Sequence, residues 1–126
     1  MRHHDAKTPT YDRRPLLRDS MHDTLNPAQL RAVHQLAGPC LVVAGAGSGK
    51  TRVITHKIAR LMQSGIEPHR IAAITFTNKA AREMRERIGA LVGTKTAKPL
   101  AISTFHALGV RMLRESGEHL NLKKNF

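Results

Sequence analysis

Ala44, Gly45, Ala46, Gly47, Ser48, Gly49, Lys50 and Thr51 form the stretch of this 126-residue sequence with the densest chemistry. Its glycines let the backbone take positive φ and approach a ligand closely, so successive N–H groups can converge on a phosphate. The apolar run Cys40-Leu41-Val42-Val43 comes before it, and Val53, Ile54 and Ile58 come after it, an order that predicts strand, loop and helix. A helix opening at this loop turns its unpaired N–H groups and the positive end of its dipole toward the same anion. Lys50 can reach β- and γ-phosphate oxygens as a point charge, and the Thr51 hydroxyl is placed to ligate Mg²⁺. The predicted ligand is a nucleoside triphosphate with magnesium. The loop departs from the pattern G-x-x-x-x-G-K-S/T only at Ala44, and the plain alternative is a glycine-rich turn between a strand and a helix.

The elements around this loop follow from capping signals and periodicity. Asn26-Pro27-Ala28-Gln29 offers an N-cap, a proline at the first helical position and a reciprocal capping glutamine, so a helix is predicted to start here. Ala28, Ala32, Val33, Leu36 and Ala37 give it an apolar stripe, and Gly38-Pro39 ends it. The helix after the loop is predicted to run to about Ser64, burying Ile54, Ile58, Leu61 and Met62, with Arg52, Lys57 and Arg60 facing elsewhere. Ile71 to Phe76 reads as a second buried strand that ends in Thr77-Asn78, which can cap a helix over Lys79 to Val92. That helix should bury Ala80, Met84, Ile88 and Leu91 and expose Arg82, Arg85 and Arg87. A loop bracketed by Gly93 and Pro99 leads to a third strand, Leu100 to Ser103. Thr104-Phe105-His106 then opens a helix carrying Ala107, Leu108, Met112 and Leu113.

Strands alternating with helices of this length imply an α/β fold, a parallel sheet with helices on both faces. Ligands of such sheets collect beyond the C-terminal strand ends, so the loops Gly45 to Lys50, Thr75 to Lys79 and Ser103 to His106 should lie along one rim. With three Phe, one Tyr and no Trp in the chain, two phenylalanines at that rim are informative. Phe76 offers a stacking face, and hydroxyls, Asn78, Lys79 and His106 can contact phosphate, a combination suited to single-stranded nucleic acid. Core packing at strand ends is the alternative for Phe76 and Phe105.

Composition points the same way. Residues 1 to 24 carry five Lys/Arg and four Asp, so +11 of the formal charge of +12 resides in the remainder, where sixteen Lys/Arg face five Glu. That surplus suggests a polyanionic partner beyond one triphosphate. Residues 1 to 24 have no helical or strand periodicity and read as a flexible leader, with Met21 a possible alternative start; residues 25 to 126 hold the patterned part. The lone Cys40 provides no disulfide framework, which favours a reducing cytoplasm. No apolar run reaches the roughly 18 residues that span a bilayer, so no membrane partner is expected.

Leu25-Asn26-Pro27-Ala28-Gln29, Ala44 to Thr51, Ile74-Thr75-Phe76-Thr77-Asn78-Lys79-Ala80-Ala81 and Ser103-Thr104-Phe105-His106 occur in this order. In these motifs the chain resembles the N-terminal part of UvrD/Rep/PcrA-type superfamily-one DNA helicases. The resemblance implies a P-loop NTPase domain of RecA-like fold, incomplete here, with ATP and Mg²⁺ as cofactors. By the same resemblance Gln29 looks like the residue that contacts adenine, and Arg52 like the arginine that lies against the base. A cap and a surface charge are their plain alternatives. Thr75, Phe76, Thr77, Asn78 and Lys79, with Thr104, Phe105 and His106, match the motifs that line the single-stranded DNA track.

The family follows these motifs with a strand ending in Asp-Glu, and this chain has no Asp-Glu pair. It therefore looks like a truncated or partial sequence. The parent implied by the resemblance is a 3′–5′ ATP-dependent helicase acting on single-stranded DNA and duplex junctions, and the fragment alone is expected to lack turnover. The competing expectation is a small P-loop module that binds nucleotide or nucleic acid without catalysis. Oligomeric state is not legible from the sequence.

Overall fold

Asn26 and Gln29 begin the first helix by reciprocal hydrogen bonds. The Asn26 side chain accepts from the Gln29 N–H at 2.9 Å, and Gln29 Oε1 accepts from the Asn26 N–H at 2.9 Å. In the computed structural model this helix, α1, spans Pro27–His34. The structure describes residues 25–47 and 49–123, so the leader with Met21, Ser48 of the loop and the last three residues lie outside the described residues. Helix α1 is shorter than its apolar stripe predicted. Gln35 leaves the helical region at ψ 88°, and of the stripe only Val33 is buried.

The second helix, α2 (Lys50–Gln63), starts where the glycine loop ends and stops one residue before Ser64. Val53, Thr55, His56, Ile58, Ala59 and Met62 are its buried residues. Ile54, expected inside, is 43% exposed, because the buried face is centred on the line through Val53, His56 and Ala59. A 3₁₀ turn at Pro68–Arg70 leads into strand β1 (Ala72–Thr75). Thr77 then caps α3 (Asn78–Val92), its hydroxyl accepting from the Ala80 N–H at 3.1 Å. Ala81, Met84, Ile88 and Val92 are buried, so the stripe is displaced by one residue at each end from the predicted Ala80 and Leu91, which are half-buried.

The predicted loop between Gly93 and Pro99 contains one helical turn, α4 (Thr94–Ala97), and Ala97 is buried. Strand β2 (Ala101–Thr104) follows, then α5 (Phe105–Ser116) and a 3₁₀ turn at Gly117–Leu120. Strands β1 and β2 pair in parallel, with Ala72 opposite Ala101 and Thr75 opposite Thr104. The main core lies between this pair and α2, α3 and α4, and includes Ile58, Met62, Ile71, Ala73, Met84, Ile88 and Ile102. Leu25, Val33 and Val53 form a second, smaller core between α1 and α2.

One sequence expectation fails for a physical reason. Cys40 to Val43 do not form a strand, and Leu41 and Val43 are each 88% exposed. A strand persists only as part of a ladder, and among the described residues the sheet is the β1–β2 pair alone. Helix α5 has no buried residue of its own, and Met112 and Leu113 are exposed, since its main contacts are with β2 and the 3₁₀ turn after it. The architecture is α/β with a small parallel sheet, and the first of the three expected strands is absent among the described residues.

Candidate functional site

Ala44 and Gly45 have irregular backbone, and a turn follows at Ala46-Gly47. Gly47 has φ +74° and Gly49 φ +82°, the left-handed region that favours glycine. No heavy atom lies within 4 Å of a β-carbon built on Gly45 or Gly47, so neither position is crowded. Gly49 is the N-cap of α2 and contributes no side-chain cap bond. Lys50 is the first helical residue and exposed; Thr51 follows and is half-exposed. Uncrowded glycines, helix N-terminus and lysine together fit a polyphosphate. For Mg²⁺ the described part of the site supplies the Thr51 hydroxyl, and no group of three His, Cys, Asp or Glu that could hold a metal occurs among the described residues.

Gln29 stands beside this loop. Its Oε1 is held by the cap of α1, and its Nε2 lies 3.0 Å from where a β-carbon on Gly49 would be. The cap thus uses the oxygen of the amide, and its nitrogen stands at the start of α2. Arg52 is exposed on the first turn of α2, and its carbonyl accepts from the Thr55 hydroxyl at 3.0 Å.

The other two predicted loops meet. Phe76, which follows β1, and Phe105, which opens α5 directly after β2, have ring centroids 5.3 Å apart at an interplanar angle of 43°. Phe76 is 87% exposed and Phe105 54%, so neither fills the core. The parallel register that sets Thr75 opposite Thr104 carries both rings to the same end of the sheet. Thr77, Asn78, Lys79 and His106 are exposed around them. Thr75 and Thr104 are buried instead, the former donating to the Thr77 carbonyl at 3.0 Å and the latter accepting from the Ala107 N–H at 3.2 Å. These two hydroxyls shape the loops, while the exposed residues are the ones open to a ligand.

Sequence reasoning missed two long polar contacts. Lys57, expected to face away, donates from Nζ to the carbonyls of Ala32 at 3.0 Å and Gln35 at 2.6 Å. Arg85 donates to the Ile102 carbonyl at 2.7 Å, tying α3 to β2. Helical spacing reports which face a residue is on but not which distant carbonyl a long side chain reaches.

Residues 25–126 match the family model described as UvrD/REP helicase N-terminal domain, and the chain belongs to this family. It is 57% identical over 103 residues to the ATP-dependent DNA helicase Rep of Escherichia coli (strain K12), covering 81% of this chain and 15% of that protein. It is 56% identical over 109 residues to the ATP-dependent DNA helicase PcrA of Leuconostoc citreum, covering 86% of this chain. The chain spans about 15% of the length of these relatives. Among the described residues no helix is long and apolar enough to cross a membrane.

Proposed function

We propose that this chain supplies the N-terminal part of the RecA-like ATP-binding domain of a cytoplasmic 3′–5′ DNA helicase, whose ATP hydrolysis drives translocation on single-stranded DNA and unwinding at duplex junctions. The observation that carries this reading is the left-handed pair Gly47 and Gly49 leading straight into α2 at Lys50. In this reading residues 25 to 126 form the domain segment and residues 1 to 24 precede it as a leader. ATP supplies the phosphoryl group whose transfer to water provides the driving energy. The backbone of Ala44, Gly45, Ala46, Gly47, Ser48 and Gly49 cradles the phosphates, Lys50 neutralises the β- and γ-oxygens, and Thr51 gives one oxygen to Mg²⁺. Gln29 and Arg52 hold the base. At the sheet end, Phe76 and Phe105 present aromatic faces to bases, and Thr77, Asn78, Lys79 and His106 meet the phosphates. Thr75 and Thr104 hold those loops in shape.

A binding module without turnover is the second reading, favoured by the absence of an Asp-Glu pair from these 126 residues. The two are separated in the complete polypeptide that the reading frame encodes. There Lys50→Ala should abolish ATP-driven unwinding and leave single-stranded DNA binding largely intact, since loop and aromatic rim are separate sites. Unwinding near the wild-type rate in that variant would remove Lys50 from the role assigned. A wild-type polypeptide that binds ATP and DNA but never hydrolyses would support the second reading.

A further inference from the structure

Helix α1 meets α2 at both of its ends, by hydrogen bonds at one and by proximity at the other. At the C-terminal end, Lys57 Nζ binds the Ala32 and Gln35 carbonyls at 3.0 and 2.6 Å. A helix leaves its last carbonyls without intrahelical partners, and a lysine there satisfies them while sitting at the negative end of the dipole. Between the ends lies only the small core of Leu25, Val33 and Val53, with Leu30 and Ala32 at its margin. At the N-terminal end, Gln29 Oε1 is bound to the Asn26 N–H, and its Nε2 stands next to Gly49, the residue from which α2 begins.

A short helix moves as a rod. The Lys57 contacts add to this small core in setting the tilt of α1, and a tilt at its last turn displaces Gln29 at its first. We propose that Lys57 is a positioning residue for the nucleotide base: by clamping the last turn of α1 onto α2, it holds Gln29 beside the phosphate loop. This inference rests on the reading of Gln29 as the base-contacting residue. Lys57 lies two turns along α2 from Lys50 with its Nζ committed to α1, so its loss should be felt by ligands that have a base and not by those that lack one.

The test measures affinity for a fluorescent ATP analogue and for inorganic tripolyphosphate, on the complete polypeptide that the reading frame encodes. Lys57→Met keeps the aliphatic stem and removes the donors. It should weaken ATP binding about three- to tenfold, the worth of one hydrogen bond, and leave tripolyphosphate affinity unchanged. Lys57→Arg should restore ATP affinity to within about twofold, because guanidinium keeps donors for both carbonyls. Combining Lys57→Met with Gln29→Ala should weaken ATP no further than Gln29→Ala alone, since both act through the same contact. Equal losses for both ligands would reduce Lys57 to a general structural role and overturn the proposal, as would additive losses in the double variant. Wild-type ATP affinity in Lys57→Met, with Gln29→Ala impaired, would overturn it while leaving the base contact standing. If Gln29→Ala binds ATP normally, the base-contact reading fails and this inference with it. Should Lys57→Met not fold, Lys57→Gln, which keeps one amide donor group, decides between the same outcomes on the same two ligands.

Discussion

Phe76 shows how much one side chain's surroundings decide. The residue types allowed either a base-stacking ring or a strand-end core residue, and an exposure of 87% removes the second. Under the proposed function, Phe76→Ala in the complete polypeptide should weaken single-stranded DNA binding by about 1–3 kcal/mol with little sequence preference, because every base has a π-face. The same substitution should change folding stability by no more than about 0.5 kcal/mol. Oligonucleotide titration beside chemical denaturation reads both quantities, and a large stability loss with unchanged DNA affinity would return Phe76 to the core. Lys79 acts by charge. Lys79→Gln should weaken binding uniformly across sequences and reduce the slope of log affinity against log salt by about 0.7, one phosphate contact on a single strand. A slope identical to wild type would remove Lys79 from the DNA track.

Elements in this chain hold or fail according to whether a neighbour completes them. Helix α3 has both a cap and a packed face, with Ile88 fully buried in the main core. Ile88→Ala in the 126-residue chain should cost about 2–5 kcal/mol, through lost burial and the cavity left behind. The run Cys40 to Val43 is as apolar as any strand but has no ladder to join, so its side chains contribute little to stability. Leu41→Ser and Val43→Ser, both at exposed positions, should each shift stability by about 0.5 kcal/mol or less. Urea denaturation of the three variants checks this contrast, and a loss at Val43 as large as that at Ile88 would mean that the run is packed after all. The cap of α1 belongs at this scale too. Asn26→Ala removes the acceptor for the Gln29 N–H and should cost about 0.5–2 kcal/mol in the same measurement.

For the molecule as a whole, a nucleotide-binding loop does not by itself make a catalyst. Phosphoryl transfer needs a metal-holding carboxylate and a residue that orients water, and the Asp-Glu pair of the family pattern does not occur in these 126 residues. The chain by itself should show no multiple-turnover ATP hydrolysis, and Lys50→Ala should change nothing in that assay. Turnover abolished by Lys50→Ala, in protein free of other helicases, would contradict this. Local patterns in the sequence determined the cap at Asn26, the loop glycines, the starts of α2 and α3, both paired strands and the family motifs, because each depends on residues a few positions apart. The tertiary structure alone decided the rest: Cys40 to Val43 form no strand, α5 buries none of its own residues, Phe76 meets Phe105, and Lys57 reaches α1. Strand formation, burial and long-range hydrogen bonds depend on which distant segment arrives at a given place, and spacing along the chain carries no record of that.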